Sequence, residues 1–281
     1  MRQKNFGLNN MPELPEVETI KRQLNRKIKG KKIKSVEVNL SKLVKYPLKK
    51  FKDLVKGARI NNTSRRAKLL IIELSNNYCL VVHLKLSGQI ILNGEVGKHT
   101  HLVYHFADGD ILLHNDLRQF GFVKIVAKDK LANFFIKEKF GLEPLSQKFT
   151  LKLFREILLK RKKSKIKILL MDQSFIVGIG NIYSNEILFF ARVLPSRRVE
   201  TLKNTEIKRI FEGIKTILSM AIKKRGSSSR DYFDAYGKKG NYVPLIKVYQ
   251  REGKPCFLCK TKIKRVKMGG RSAHFCPKCQ K

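Results

Sequence analysis

Part-way along this chain the hydrophobic period changes from that of strands to that of helices. Up to residue 127 the apolar residues fall in short runs: IKSVEVNL, AKLLIIEL, YCLVVHL, HLVYHF, DILLHN and FGFVKIVA. Turn residues separate these runs, and Asn76-Asn77 and Asp108-Gly109 have the composition of hairpin turns. Beyond LEPLSQKFT, residues 142–150, the spacing predicts helices over 150–163, 165–172, 181–192 and 205–224. The last of these puts Ile207, Ile210, Phe211, Ile214, Ile217 and Leu218 on one face. Another helix, 16–29, leads the strands. Val17, Ile20, Leu24 and Ile28 form its apolar stripe, and Gly30 stands where it should stop. Strands followed by helices indicate an α+β chain whose N-terminal part is a β-sandwich with a leading helix.

The tail differs from both halves. Cys256-x2-Cys259 and Cys276-x2-Cys279 are sixteen residues apart. Each pair can set two thiolates on one tight turn, and four sulfurs suit one tetrahedral, structural Zn2+ per chain. Between the pairs, residues 267–271 (KMGGR) read as the tip of a two-stranded hairpin. The fifth cysteine, Cys79, lies in an apolar strand and reads as a core residue. The expected organisation is a ten-residue extension (1–10), a sandwich domain (11–140), a helical domain (141–245) and a zinc finger (246–281). Within the helical part, RGSSSRDYFDAYGKKGNY, residues 225–242, reads as a long polar loop, a length that is often functional.

Sixty-one Lys and Arg against 22 Asp and Glu give a net charge of +39, spread over the whole length. Such a field concentrates polyanions, with nucleic acid the first candidate and an anionic membrane the second. No apolar run reaches the length of about 18 residues that a spanning helix needs. The first ten residues lack the apolar core of a secretion signal. A cytoplasmic, nucleoid-associated monomer is expected, with cysteines that bind metal or stay free. In GIGNIYSNE, residues 178–186, two glycines and an asparagine precede a helix. Backbone N–H groups there are expected to hold a DNA phosphate.

These features combine with particular motifs: MPELPEVET (11–19), RRAK (65–68), HLKLSG (83–88), KHTH (98–101), DLRQFG (116–121) and LMDQSFIVGIGNIYSNE (170–186). With them and the four-cysteine tail, residues 11–281 resemble the formamidopyrimidine-DNA glycosylases, bacterial base-excision repair enzymes. The resemblance implies an N-terminal β-sandwich with flanking helices, a helical domain with a helix–two-turn–helix motif, and a C-terminal β-hairpin zinc finger, with duplex DNA in the cleft between the halves. It implies excision of oxidised purines, chiefly 8-oxoguanine and formamidopyrimidines, then strand cleavage by β,δ-elimination.

By the same resemblance Pro12 is the nucleophile. A secondary amine is partly free at neutral pH and can attack the sugar's anomeric carbon, forming an iminium. Glu13 is the implied general acid for the ring oxygen, with Glu16 capping the helix or orienting the amine and Glu18 a nearby alternative. Lys68 matches the lysine of β-elimination and Arg271 the arginine of δ-elimination; both can also act simply as phosphate clamps. His99, Lys163 and Asn181 match DNA contacts. His83 looks like a further one, although a lone strand histidine also suits a structural role. The target base must leave the stack. Leu86, Arg118 and Phe120 are the implied gap-fillers, with Arg118 facing the orphaned cytosine; Phe120 could otherwise pack in a core. The loop 225–242 matches the segment that closes over the flipped base.

Three departures accompany the resemblance. Leu86 replaces the family's usual Met with similar volume. Gln119 stands where a basic residue is common, so one phosphate contact is expected to be missing. Pro12 as numbered lies within a peptide bond, and an amide nitrogen cannot form an iminium. The expectation is translation from Met11 with that methionine removed; cleavage of the extension is the other route. An endonuclease VIII-type pyrimidine glycosylase and a non-catalytic damaged-DNA-binding protein are the alternative functions.

Overall fold

The computed structural model describes residues 11–228 and 232–281. The ten-residue extension and residues 229–231 of the long loop, both singled out above, lie outside the described residues. In chain order the elements are α1 (Leu14–Lys27), β1 (Ile33–Val38), α2 (Leu48–Val55), β2 (Ile60–Arg66), β3 (Leu69–Leu74), β4 (Tyr78–His83), β5 (Gly88–Leu92), β6 (Thr100–Phe106), β7 (Ile111–Asp116) and β8 (Phe122–Ala127). Then come α3 (Leu131–Lys137), α4 (Leu151–Leu159), α5 (Ile166–Met171), α6 (Asn181–Ala191), α7 (Asn204–Lys223), β9 (Lys264–Met268) and β10 (Arg271–Phe275).

The first eight strands form two four-stranded antiparallel sheets, ordered β1-β6-β7-β5 and β2-β3-β4-β8. Both expected hairpin turns form, with Asn77 at φ +62° and Gly109 at φ +91°. Two strands lie outside the runs named above. β2, INNTSRR, buries only Ile60 and Thr63, and pairs along the whole of β3. β5 is short and begins at a glycine. The α2 helix also escaped, because only Phe51 and Val55 of its eight residues are buried.

The two cores meet at the start of α1. Val17, Ile20, Leu24 and Ile28 pack in the sandwich core. Leu14, at the first position of the same helix, packs in the helical core with Phe154, Ile182 and Tyr183. The Leu14 N–H also donates to the Gly178 carbonyl at 2.9 Å. In return, Tyr232 and Ala235 of the long loop enter the sandwich core. Residues just before α1 are thereby held at the seam between the halves.

The C-terminal finger is fixed to α6. Glu186 accepts the backbone N–H groups of Lys247, Val248 and Tyr249 at 2.8, 3.0 and 2.9 Å. Asn185 Oδ1 accepts the His274 N–H at 2.8 Å, and Gln280 donates to the Val193 carbonyl at 2.8 Å. A buried carboxylate meeting three donors is well satisfied, so this joint is rigid.

Candidate active site

Glu13 caps α1 where the N-terminus of α6 approaches. Its Oε2 accepts the Gly180 N–H at 2.6 Å and its Oε1 the Ile182 N–H at 2.8 Å. The approach depends on glycine: a Cβ on Gly180 would lie 2.5 Å from Glu13 Cδ. The expectation for GIGNIYSNE needs correction here. The structure gives these two amides of the helix start to a carboxylate of the protein itself, not to an incoming phosphate. Burial raises the Glu13 pKa to about 7, against the opposing pull of Lys68 and the two amides, with Glu16 adding to the rise.

Glu16 caps α1 by accepting the Glu13 N–H at 2.9 Å, as expected. Its other oxygen accepts the Tyr183 hydroxyl at 2.6 Å and the Ser227 N–H at 2.7 Å. Glu18 is directed elsewhere, pairing with Arg22 at 2.7 Å and Arg65 at 3.1 Å. Pro12 is buried between Met11 and Glu13.

Lys68 sits in the two-residue turn between β2 and β3, which pair out to Arg66 opposite Leu69. Ala67 holds this turn with φ +55°. Glu143 fixes it from the helical half, accepting the Ala67 N–H at 2.6 Å and both terminal nitrogens of Arg65 at 3.2 and 2.9 Å. Burial lowers the Lys68 pKa, and Glu13 and Glu16 pull it back up. Arg271 begins β10 at the finger tip, after a Gly269-Gly270 turn with φ +54° and +71°. Glu13, Lys68, Leu86, Asn181 and Arg271, together with Met11, line one cavity of about 450 Å³. Residues 258 positions apart thus face the same space, as the two hairpin tips and the two helix starts converge.

The residues expected to form the wedge, Leu86, Arg118 and Phe120, lie on two adjoining loops. Phe120 is 55% exposed, and the Arg118 guanidinium lies 5.2 Å from its ring centre. Exposure answers the core-packing reading of Phe120. Beneath them Asp116 is fully buried, accepting from Ser87 Oγ at 2.6 Å, the Arg118 N–H at 3.2 Å and the Gly121 N–H at 2.7 Å. Lys85, before Leu86, and Gln119, between Arg118 and Phe120, both take left-handed backbone, at φ +50° and +57°. Side chains other than glycine and asparagine rarely sit there, and such positions cluster where a loop presents functional groups.

In the finger, the four sulfurs of Cys256, Cys259, Cys276 and Cys279 lie within 4.8 Å of one another, with Cys256–Cys279 at 3.9 Å and Cys259–Cys276 at 3.4 Å. Zinc–sulfur bonds of about 2.3 Å in a tetrahedron need sulfurs at about this separation, so the donor set fits Zn2+.

Comparison with known proteins agrees with this arrangement. Residues 11–123 match the formamidopyrimidine-DNA glycosylase N-terminal domain, 140–232 its H2TH domain, and 253–281 the zinc finger found in FPG and IleRS. Formamidopyrimidine-DNA glycosylase of Pelotomaculum thermopropionicum is 42% identical over 275 residues, covering 96% of this chain and 99% of that one. The Heliobacterium modesticaldum protein of the same name is 42% identical over 278 residues, covering 96% and 100%. The chain belongs to the formamidopyrimidine-DNA glycosylase family. Among solved structures, the Lactococcus lactis enzyme with Fapy-dG-containing DNA superposes with a TM-score of 0.90 at 37% identity, covering 96% of this chain and 100% of that one. Its complex with abasic-site DNA gives 0.90 and 37%, covering 96% and 99%.

As a member of this family the protein is a DNA glycosylase of base excision repair, and its cysteine cluster is the family's structural zinc finger. Among the described residues, no helix is long and apolar enough to cross a membrane.

Three expected contacts fall outside the cavity just described. His83 lines a neighbouring cavity and packs at a tilt of 57° against Phe122, with ring centres 5.6 Å apart. Its Nδ1 accepts the Lys85 N–H at 3.0 Å, and burial, with Lys85 and Lys68 nearby, pushes its pKa down to about 3. It is therefore neutral at any physiological pH. His99 lines a small cavity beside Ser87 and Leu117. Lys163 is exposed on the turn between α4 and α5.

Sequence reasoning missed Lys167. It is fully buried on α5, and its ammonium donates to Asn181 Oδ1 at 2.7 Å. Burial lowers its pKa to about 8, with Glu13 pulling up and Arg271 down. The signal was present in IKILLMD, where a lysine occupies a position flanked by apolar residues. Gln173 was missed too. It staples the two turns joining α5 to α6 by donating to the Met171 and Ile179 carbonyls, each at 2.9 Å, and accepting from Gly178 N at 2.8 Å.

Proposed function

We propose that this enzyme excises oxidised purines, 8-oxoguanine and formamidopyrimidines, from duplex DNA and then nicks the strand, using Pro12 and Glu13. The observation that carries this is the Glu13 carboxyl: buried, bound by two amides of α6, half-protonated near pH 7 and covalently adjacent to Pro12. A general acid works best when its pKa lies near the working pH.

In the reaction the Pro12 amine attacks C1′, and the bond from C1′ to the damaged base breaks. Glu13 gives its proton to O4′ as the sugar ring opens, leaving an iminium between Pro12 and C1′. Loss of a C2′ proton then expels the 3′ phosphate, and a second elimination expels the 5′ phosphate. Lys68 and Arg271, both facing the cavity, hold the flanking phosphates and stabilise the charge that develops on them. Asn181, oriented by Lys167, makes a further polar contact with the backbone. Leu86, Arg118 and Phe120 occupy the gap, His83, His99 and Lys163 contact the strands, and the 225–242 loop encloses the flipped base.

The working form begins at Pro12, after translation from Met11 and removal of that methionine. The family match that begins at residue 11 supports this. Every group in the scheme comes from one chain, so a monomer suffices, acting in the cytoplasm on nucleoid DNA. The test is to express the chain from Met11, verify the Pro12 terminus by mass, and add an 8-oxoguanine:cytosine duplex with borohydride. A reduced adduct at Pro12 is expected, with slower trapping on a thymine-glycol duplex. Tight damaged-DNA binding without any adduct would place the protein among non-catalytic binders, and faster thymine-glycol trapping would move it to the pyrimidine-specific class.

A further inference from the structure

The long loop after α7 carries a carboxylate that a plain surface connection does not need. Asp234 is fully buried. Its Oδ1 accepts the Tyr236 and Lys238 N–H groups, each at 3.0 Å, closing a turn in which Gly237 takes φ +71°. Its Oδ2 accepts Gln23 Nε2 at 3.0 Å and Arg225 Nη1 at 2.8 Å. Gln23 is itself buried on α1, and its Oε1 accepts the Ala235 N–H at 2.9 Å. The Ala235 carbonyl accepts the Leu92 N–H at the end of β5, at 2.8 Å. Gln23 and Asp234, 211 positions apart, thus tie the limb 232–238 to α1 and the sandwich. A buried carboxylate with four donors resists displacement, because moving it leaves buried polar groups unpaired.

The same loop touches the reaction centre. The Tyr232 hydroxyl donates to the Glu16 carbonyl at 3.4 Å, and Ser228 Oγ donates to the Tyr232 carbonyl at 2.8 Å. The Ser227 N–H donates to Glu16 Oε1 at 2.7 Å, while Glu16 Oε2 accepts the Glu13 N–H at 2.9 Å. Pro12 and Glu13 act on the sugar from one end of α1, and the loop is pinned along that helix at Glu16 and Gln23. Anchoring both to one rigid element fixes the spacing between the groups that act on the sugar and the segment beside them. Gln23 and Asp234 do this at a distance, through hydrogen bonds to the loop backbone.

We propose that Gln23 and Asp234 are positioning residues for base excision, which set the long loop against α1 so that a flipped base is held in register with Pro12 and Glu13. The proposal rests on the reading of this loop as the segment that encloses the base. It assigns the pair to the excision step and not to strand nicking, because an abasic sugar has no base for the loop to hold.

The test compares two single-turnover rates for protein beginning at Pro12: release of 8-oxoguanine from a duplex, and nicking of a duplex with a preformed abasic site. Asp234→Asn turns an amide nitrogen toward the Gln23 and Arg225 donors. Gln23→Glu sets a second carboxylate against Asp234 but leaves its other three donors in place, which guards against misfolding of the first variant. Each should lower the ratio of excision to nicking about tenfold, since a small misplacement slows the step that needs the base in place. Amide exchange at Ala235, Tyr236 and Lys238 should speed up, while Val248 and Tyr249, held by Glu186, should exchange as before. The double change Gln23→Glu with Asp234→Asn reverses donor and acceptor, so it should bring the ratio back to within about threefold of wild type. Equal losses of excision and nicking in the single variants would overturn the proposal. So would a ratio that stays at the wild-type value, or a double variant no better than the worse single one. Wild-type protein that nicks the abasic duplex but releases no 8-oxoguanine would overturn the oxidised-purine reading and the proposal together, whereas wild-type excision with an unmoved ratio in the variants overturns the positioning role alone.

Discussion

The reaction cavity and the wedge loops lie side by side but are built on opposite principles. In the cavity the two carboxyls and Lys167 are buried and held by protein partners: Glu13 by two amides, Glu16 by a hydroxyl and two amides, Lys167 by Asn181. At the expected wedge Arg118 and Phe120 are exposed and Leu86 is half-buried, and the full burial lies underneath, in Asp116 and Ser87. The first arrangement shifts proton affinities, because desolvation acts on the reactive group itself. The second leaves side chains chemically ordinary and spends its order on backbone position. Chemistry needs the former; filling a hole in DNA needs the latter.

The comparison can be broken most sharply at Glu13. Glu13→Gln should lower single-turnover excision by about 10²–10⁴-fold, since the proton donor is removed, with zinc content and duplex affinity retained. If the loss were under tenfold in a quench-flow assay, the buried carboxyl would not be the acid. Next in size is Gly180→Ala. The new Cβ would push Glu13 off the α6 amides, and a displacement of about 1 Å should cost about 10²-fold in rate. The same change should leave binding of abasic-analogue DNA nearly intact, which gel shift would read.

Removal of zinc by a strong chelator should act on binding instead. The finger has a small core around Phe189, Val248 and Ile263 that includes Cys256 and Cys276. Without metal it should lose its order and release Arg271, weakening damaged-DNA affinity by about 10–100-fold, restored on adding zinc. Unchanged affinity after verified metal loss would separate Arg271 from the DNA site. In the wedge, Asp116→Asn leaves buried donors short of an acceptor and should cost about 1–3 kcal/mol in stability, seen as a lower Tm. Its rate effect should be smaller than that of Gly180→Ala, and a reversal of that order would undo the distinction between the regions. The smallest effect is at Gln119. Gln119→Arg should raise DNA affinity and steepen its salt dependence by about one ion; an unchanged slope would show that no phosphate contact is missing there.

How much of this was legible depended on whether a residue carries its signal locally. The sandwich runs, the α7 face and the cysteine spacing all follow from local periodicity, and each formed near its expected bounds. Polar β2 did not, because its order comes from pairing with β3 and from Asn25, which accepts the Thr63 N–H at 2.9 Å. The motif residues Glu13, Lys68, Asn181 and Arg271 could be named from sequence, and they share one cavity. Their anchors could not. Glu143 lies 76 positions from Ala67, and Asn185 lies 89 from His274. Such partners are chosen by the fold and leave no pattern along the chain. GIGNIYSNE gave the right chemistry and the wrong anion, because nothing in nine residues says that a carboxylate 167 positions earlier will claim the Gly180 amide.

The central claim is that Glu13 is a proton donor poised near neutrality by burial at the α6 start. The direct measurement is the pH profile of single-turnover excision of 8-oxoguanine, from pH 5 to 9, for protein beginning at Pro12. A folded-state pKa raised from 4.5 to about 7 keeps the acid form present below neutrality, and its loss above that should reduce the rate about tenfold per pH unit. Nearby DNA phosphates should move this limb upward, not downward. The account predicts a falling limb with an apparent pKa at or above 7 that disappears in Glu13→Gln. A rate that holds level to pH 9, or a limb that survives in Glu13→Gln, would contradict it.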